Sequence, residues 1–409
     1  MRSKFVSLLL VVLLISGCAD NGVELAEDSP VKVYVPKGEL FIQPQFESVL
    51  GFSDGMSSYS TRASDAPLFT GGGNTGKPLK LALGDNLNGY ISSDGKILPP
   101  IYTAAFDFSN GVSAVSKDKN KFGVIDKFGK WIVQPEYYFI NSFHSGLAPF
   151  QKNEKDKYGY MNLKGEIVIE PKYDSAGLFY EERALVCEEH KNYDDSNCGF
   201  INPEGNYISK RIYSQYSSDW FSEGLAMVCS GKGENLLCGY IDKNGTEVLP
   251  LADWVYRTEY GDYVSMLGSF SQGLALVGGR WFDGNIQKWG FFNKNFEYQI
   301  PEIVTAPLTK FAFKPYDFNG DLQWQTVGTS KDSKGQTAAM NKMGEILFFS
   351  TYEEVREFSQ GLSAVKVKGK WGYVNEKNEM VIEPIYDEAR EFYEGLAAVR
   401  VNRKWGFVR

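Results

Sequence analysis

Few residues in this sequence have the types and spacing that chemistry requires. The stretch GGGNTGKP (Gly71 to Pro78) is one residue short of a phosphate-binding loop. Such a loop needs a Ser or Thr hydroxyl after the lysine, and a strand-to-helix setting, and Pro78 supplies neither. With SSYSTRASD before it, the segment near 57–80 reads as a flexible loop. DFNGD (Asp317 to Asp321) offers oxygen ligands but lacks the later Glu of a calcium loop, so it reads as a polar turn. The two histidines, His144 in FHSGLA and His190 in a polar loop, have no spaced partner for a triad or a metal cluster and read as solvated loop residues. Carboxylates are plentiful, at 51 Asp and Glu against 43 Lys and Arg, yet spacing singles out no acid and nucleophile pair. No basic run gives a nucleic-acid footprint at a net charge of −8. The expectation is therefore no catalytic residue, no metal, no cofactor and no nucleic-acid partner.

The first residues, MRSKFVSLLLVVLLISGCAD, join a basic start (Arg2, Lys4) to an apolar stretch from Phe5 to Ile15 and small residues before Cys18. That is the layout of an export signal, too short for a spanning helix, which needs roughly 17 to 25 residues. Ile15 to Cys18 resembles the lipobox of bacterial lipoproteins, which implies cleavage after residue 17, acylation of Cys18 and a membrane anchor. Loss of Arg2 and Lys4 with the signal takes the net charge from −8 to −10. Residues 18–31 then form a polar, acylated tether. Ala19 is not the aspartate that resembles an inner-membrane retention signal, so the expected address is the cell envelope, at the outer membrane.

The elements that would position any site come from a repeat. A glycine anchor recurs at Gly89, Gly123, Gly159, Gly199, Gly239, Gly290, Gly372 and Gly406, with Ala338 and Lys32 in the same slot of degenerate copies. Each anchor opens a strand that turns at a second glycine (Gly95, Gly129, Gly165, Gly205, Gly245) and returns toward a proline (Pro135, Pro171, Pro384) expected to stop it. A Tyr-Asp corner leads to Phe-x-x-Gly-Leu-Ala and a strand that pairs with the next anchor strand as a hairpin. The anchor glycine is expected to leave a gap that a neighbouring aromatic covers.

This consensus, Lys-Trp-Gly-Tyr/Phe-Val, then Pro-x-Tyr-Asp, then Phe-x-x-Gly-Leu-Ala, resembles the WG-repeat or KWG-repeat family over residues 32–409, most weakly around 57–80 and 301–337. The resemblance implies an all-β repeat scaffold and no activity. Ten anchors exceed the typical propeller of about 4 to 8 blades, so the expected arrangement is an open twisted β-array, with a closed β-propeller as the alternative. What decides between them is whether the N-terminal copy caps the free edge of the last Trp-Gly strand.

In the hairpin register, Cys187 faces Cys198 and Cys229 faces Cys238, where other units put Lys366 opposite Trp371 and Arg400 opposite Trp405. Opposed strand residues lie within disulfide range, so these pairs are the expected bonds among three possible connectivities. Free thiols or a zinc site stay open as readings, although no CxxC spacing supports zinc.

Departures from the repeat mark the candidate binding residues. Lengthened segments carry Trp254, Tyr256 and Tyr260, then Trp281 and Phe282, then Trp324, whose flat faces suit a protein interface or a sugar. The expected function is a non-enzymatic, lipid-anchored envelope scaffold that binds a protein, with glycan adhesion second and a hydrolase third.

Overall fold

A computed structural model describes residues 38–61, 87–118, 121–188, 197–209, 213, 217–218, 220–231, 235–253, 255–257, 263–265, 267–282, 286–305, 317–327 and 336–409. Its regular structure is almost entirely antiparallel strand in short meanders, each made of neighbours in sequence. A complete unit has four strands, as in Glu354–Ser359, Leu362–Val367, Lys370–Asn375 and Met380–Tyr386. These units are the blades of a nine-bladed β-propeller. In chain order they span 48–102, 104–137, 139–173, 175–213, 225–252, 267–305, 322–349 and 354–386, and the ninth combines 388–408 with 40–46. Two seams are blurred. Val304 and Thr305 of blade six pair with Val327 and Thr326 of blade seven, and Tyr213 bridges Cys198 of blade four to Ser230 of blade five.

The ninth blade overturns the open array. Leu40–Phe46 pairs antiparallel with Lys404–Val408, placing Ile42 opposite Phe407 and Phe46 opposite Trp405. The N-terminal segment thereby supplies the fourth strand that the C-terminal hairpin lacks, which covers both exposed edges at once. The count of anchors misled because Lys32 has no third strand among the described residues. The N-terminal copy contributes only its LFIQPQF strand, and the other nine anchors mark nine blades. The loop expected near 57–80 is also displaced, since residues 57–60 lie buried in the strand Met56–Ser60.

The Trp-Gly and Pro motifs are two halves of one device. Between Trp371 and Tyr373 the partner strand runs from Tyr386 to Ile382, so three residues on the outer strand face the single Gly372. The same bulge recurs opposite Gly123, Gly159 and Gly406. It presses the outer strand's backbone onto the anchor: a Cβ on Gly372 would meet the Ile382 carbonyl oxygen at 2.4 Å and the Pro384 nitrogen at 2.7 Å. Two expectations are thus corrected. Proline does not stop the outer strand but sits inside its bulge, where no ladder donor is needed. Backbone, with an aromatic in some blades, occupies the space over the glycine. In blade seven Ala338 fits because its partner Ile346–Phe349 is short and lacks proline.

Blades are joined by aromatic wedges. In six blades a ring meets, at its edge, the phenylalanine of the next blade's Phe-x-x-Gly corner: Tyr90 on Phe108, Tyr160 on Phe179, Phe200 on Phe221, Tyr240 on Phe270, Phe291 on Phe318 and Tyr373 on Phe392, with centroids 4.7 to 5.3 Å apart; blade two places Val124 there instead. Phe407 on Phe52, at 4.9 Å, closes the ring. Where the wedge is tyrosine, its hydroxyl donates to a carbonyl of the next blade, as from Tyr160 to Gly177 at 2.8 Å and from Tyr373 to Arg390 at 2.7 Å. Burying the hydroxyl with a partner avoids the cost of an unmade hydrogen bond.

Gly372→Ala is expected to lower unfolding stability by about 1–3 kcal/mol through backbone overpacking, read as a shift of the urea midpoint. Ala338→Gly, with no such contact to relieve, should cost no more than about 1 kcal/mol in the same assay.

Candidate functional site

The two ends of the propeller differ in kind. In a four-strand meander, the first-to-second and third-to-fourth turns share one end. The second-to-third hairpins and the links to the next blade share the other. At the turn end the connections are tight and repetitive. Pairs such as Asn110–Gly111, Gln360–Gly361 and Glu394–Gly395 take left-handed conformations, with φ between 51° and 85°. Third-to-fourth turns are capped by one side chain, as where Asp126 accepts from the amides of Phe128 and Lys130, both at 2.9 Å. Among the described strands, those that end at the loop end are the ones followed by the longer connections: after 61 in blade one, after 252 between blades five and six, after 282 in blade six, after 305 before blade seven and after 327 within it.

The base of the loop end is built from the consensus motifs. Trp371 lies between Arg356 at 4.9 Å and Lys366 at 5.7 Å, and Trp405 between Arg390 at 4.5 Å and Arg400 at 5.6 Å. Such contacts strengthen as they are desolvated. The lysine of Lys-Trp-Gly reaches the acid of Tyr-Asp in its own blade: Lys370 to Asp387 at 2.6 Å, Lys157 to Asp174 at 3.1 Å, and Lys404 to Glu47 across the closing seam. These pairs are half-exposed and set geometry more than stability. Lys370 also holds the Asp387 carboxyl below the usual range. In blades four and five the same hairpin position carries Cys187 bonded to Cys198 and Cys229 bonded to Cys238, each pair with Cα atoms 4.1 Å apart. The disulfides thus replace the cation and tryptophan pairs, in the register the sequence indicates.

Of the six candidate binding residues, three have their described backbone in one sector. Tyr256 stands in Val255–Arg257, a strand that pairs with Tyr263–Ser265 within the link into blade six. Trp281 and Phe282 end the strand Leu274–Phe282, opposite Gln287 and Ile286, in the hairpin of that same blade. Backbone placement therefore brings the two insertions to one end of blade six. The side chains of Tyr256, Trp281 and Phe282, and residues Trp254, Tyr260, His190 and Cys18, lie outside the described residues.

Trp324 is corrected: it is 1% exposed and presents no face to a ligand. Its cross-strand partner is Ala339, in the slot that Tyr373 fills opposite Ala364 in blade eight. Large and small residues have traded strands, and Trp324 is the wedge of this junction, stacked on Phe358 at 5.3 Å. Its indole Nε1 donates to Ser363 Oγ at 2.8 Å, as the tyrosine hydroxyls do elsewhere. His144 is likewise no free loop residue; it is half-buried, its ring 4.5 Å from that of Tyr180.

Sequence reasoning missed the residue just before the wedge phenylalanine on the inner strand. It is Asp107, Asp317, Glu357 or Glu391 in four blades, and the recurring acid-Phe dipeptide was the available signal. Burial pushes Asp107 up to about 6. Burial, then the charges of Glu391 and Asp317, push Glu357 up to about 7. Among the described residues no group of His, Cys, Asp and Glu is arranged to hold a metal ion.

With this architecture in place, comparison with known proteins gives the family. The model described as WG containing repeat matches residues 36–60, 89–120, 122–155, 158–191, 199–232, 339–371 and 371–405, more than half of the chain, and the chain belongs to that family. A search of curated proteins finds no match. Among solved structures, BamB from Moraxella catarrhalis is similar at 10% identity and a TM-score of 0.39, over 73% of this chain and 94% of that one. A eukaryotic initiation factor is similar at 10% identity and 0.45, over 77% and 88%. Virginiamycin B lyase from Staphylococcus aureus is similar at 13% identity and 0.25, over 90% and 99%. Likeness this remote says nothing of function.

Trp324→Ala is expected to cost about 3–5 kcal/mol in urea unfolding, and Trp324→Ala with Ala339→Tyr to recover a substantial part by returning the wedge to the third strand. Stability should also fall as pH rises from about 4.5 to 7, because the folded state holds the Glu357 proton that the unfolded state releases. Glu357→Gln should flatten that slope when unfolding midpoints are compared at pH 5 and pH 7.5.

Proposed function

We propose that the chain is an exported, lipid-anchored scaffold, without catalytic activity, whose loop end binds another protein of the cell envelope. The observation that carries this reading is the division of labour between the ends. One end keeps near-identical tight turns, and the longer connections follow strands that end at the other, which is how a rigid framework displays variable recognition segments. Two disulfides at the base of that end support an oxidising compartment. The lengthened segments on either side of blade six's first strands carry Trp254, Tyr256, Tyr260, Trp281 and Phe282 in sequence, residue types such interfaces favour as anchors. Acylation of Cys18 ties the scaffold to a membrane, the outer one where the cell has two.

Crosslinking on intact cells, followed by recovery of the tagged chain and mass spectrometry, should return a stoichiometric protein partner. Trp281→Ala with Phe282→Ala should reduce its recovery at least ten-fold while the chain stays folded. Recovery of no protein, with retention of the chain on isolated cell-wall material, would replace this reading by glycan adhesion at the same end. Labelled palmitate should enter the intact chain but not Cys18→Ser.

A further inference from the structure

We infer that the turn end, opposite the proposed protein-binding face, carries a site for a neutral sugar chain on an aromatic strip formed by His144, Tyr180 and Trp220. The strip arises in three neighbouring blades, two of which depart from a pattern seen in several others. After the wedge phenylalanine, Ser53, Ser222, Ser271 and Ser359 each donate to a carbonyl of the next blade, at 2.5 to 2.9 Å. Blades three and four put His144 and Tyr180 in that slot. Blade five puts Trp220 just before its wedge, the position that holds acids in blades seven to nine.

The three rings run from blade to blade. His144 lies 4.5 Å from Tyr180, and Tyr180 lies 6.0 Å from Trp220. Trp220 ends the series 36% exposed, although a buried residue would remove more apolar surface from water. Among the described residues, the turns of this end are short.

The rim identifies the kind of ligand. Glu181 binds Lys243 at 3.1 Å and the Gly224 amide at 2.9 Å, and Glu223 binds Lys294 at 3.1 Å and the Gly273 amide at 3.0 Å. Arg183 Nε donates to the Lys243 carbonyl at 2.9 Å. Acids and bases around the strip are thus matched in pairs, which leaves hydrogen-bonding capacity but little net field. A hexopyranose presents the complementary surfaces: an apolar C–H face for the electron-rich ring faces, and hydroxyls at its edge for the carboxylates and ammonium groups. A polyanion would meet Glu181, Glu182 and Glu223, and a strongly basic segment would find the carboxylates already taken.

The test titrates the full chain with cello-, malto- and N-acetylglucosamine oligosaccharides, read by tryptophan fluorescence and by the His144 ring signals in NMR. At least one series should give a saturable response at moderate salt. Trp220→Ala should weaken it ten-fold or more, and Tyr180→Ala should weaken it while Tyr180→Phe retains it, with thermal midpoints confirming folded variants. No response from the folded chain to any series would overturn the inference. So would binding that survives both alanine variants, or binding that is lost instead in Trp281→Ala, which would place it at the loop end. The protein-partner reading stands or falls separately, because its variants lie at the other end.

Discussion

The contact on which this molecule depends is the edge of one blade's aromatic ring against the phenylalanine of the next blade's corner. A four-stranded meander of short strands has two faces and cannot bury either alone. Each wedge adds about 0.5–1.5 kcal/mol beyond the area it buries, but its larger effect is geometric. It helps set the angle between the blades it joins, and the nine inter-blade angles must sum to a closed ring. Blade two fills the slot with Val124 alone, whereas blade seven supplies a ring from another strand. Its third-strand slot holds Ala339, and the missing ring is supplied by Trp324 from the neighbouring strand, down to a polar atom that still finds a partner in the next blade. At this junction the ring is kept while the strand that provides it changes, which keeps the interface closely packed.

Closure removes the weakness of a linear array. An open stack exposes a strand edge at each terminus, whereas here Leu40–Phe46 occupies the edge of Lys404–Val408 and the ends of the chain secure each other. The closing strand carries the same bulged proline, Pro44, as the outer strands of internal blades, and it meets Gly406 just as Pro384 meets Gly372. A strand almost the whole chain length away is therefore interchangeable with a local one, because the bulge and the glycine recognise each other by shape.

A ring held in this way leaves its two ends free to diverge. Turns that also bind the neighbouring blade cannot lengthen without breaking that contact. Glu394 accepts from the Gly55 amide at 2.8 Å and Gln360 from the Gly395 amide at 2.9 Å, so the first-to-second turns form part of the belt between blades. Several described hairpins at the other end are secured at their bases by cation and tryptophan contacts or by disulfides, so length can be added beyond the base without disturbing the blade. Insertions accumulate there for a physical reason, which makes that end the natural place for recognition.

Local chemistry was legible in the sequence. The repeat, the strand-turn-strand grammar and the pairing of Cys187 with Cys198 and Cys229 with Cys238 follow from spacing, because a hairpin register is set over a few residues by its turn. The sequence alone could not show that the proline is a bulge rather than a stop, since that depends on the backbone it presses against. Nor could it show that Trp324 is core. Its composition and its place in a degenerate unit suit a surface aromatic, and only the neighbouring Phe358 gives it a buried role. The aromatic strip of blades three to five and the acids before the wedge phenylalanines are adjacent only once the ring has formed, from residues some 35 to 40 apart in the chain. The sequence by itself determined the blade; the tertiary structure decided that nine of them close, because closure rests on a contact between the two ends of the chain that no local pattern encodes.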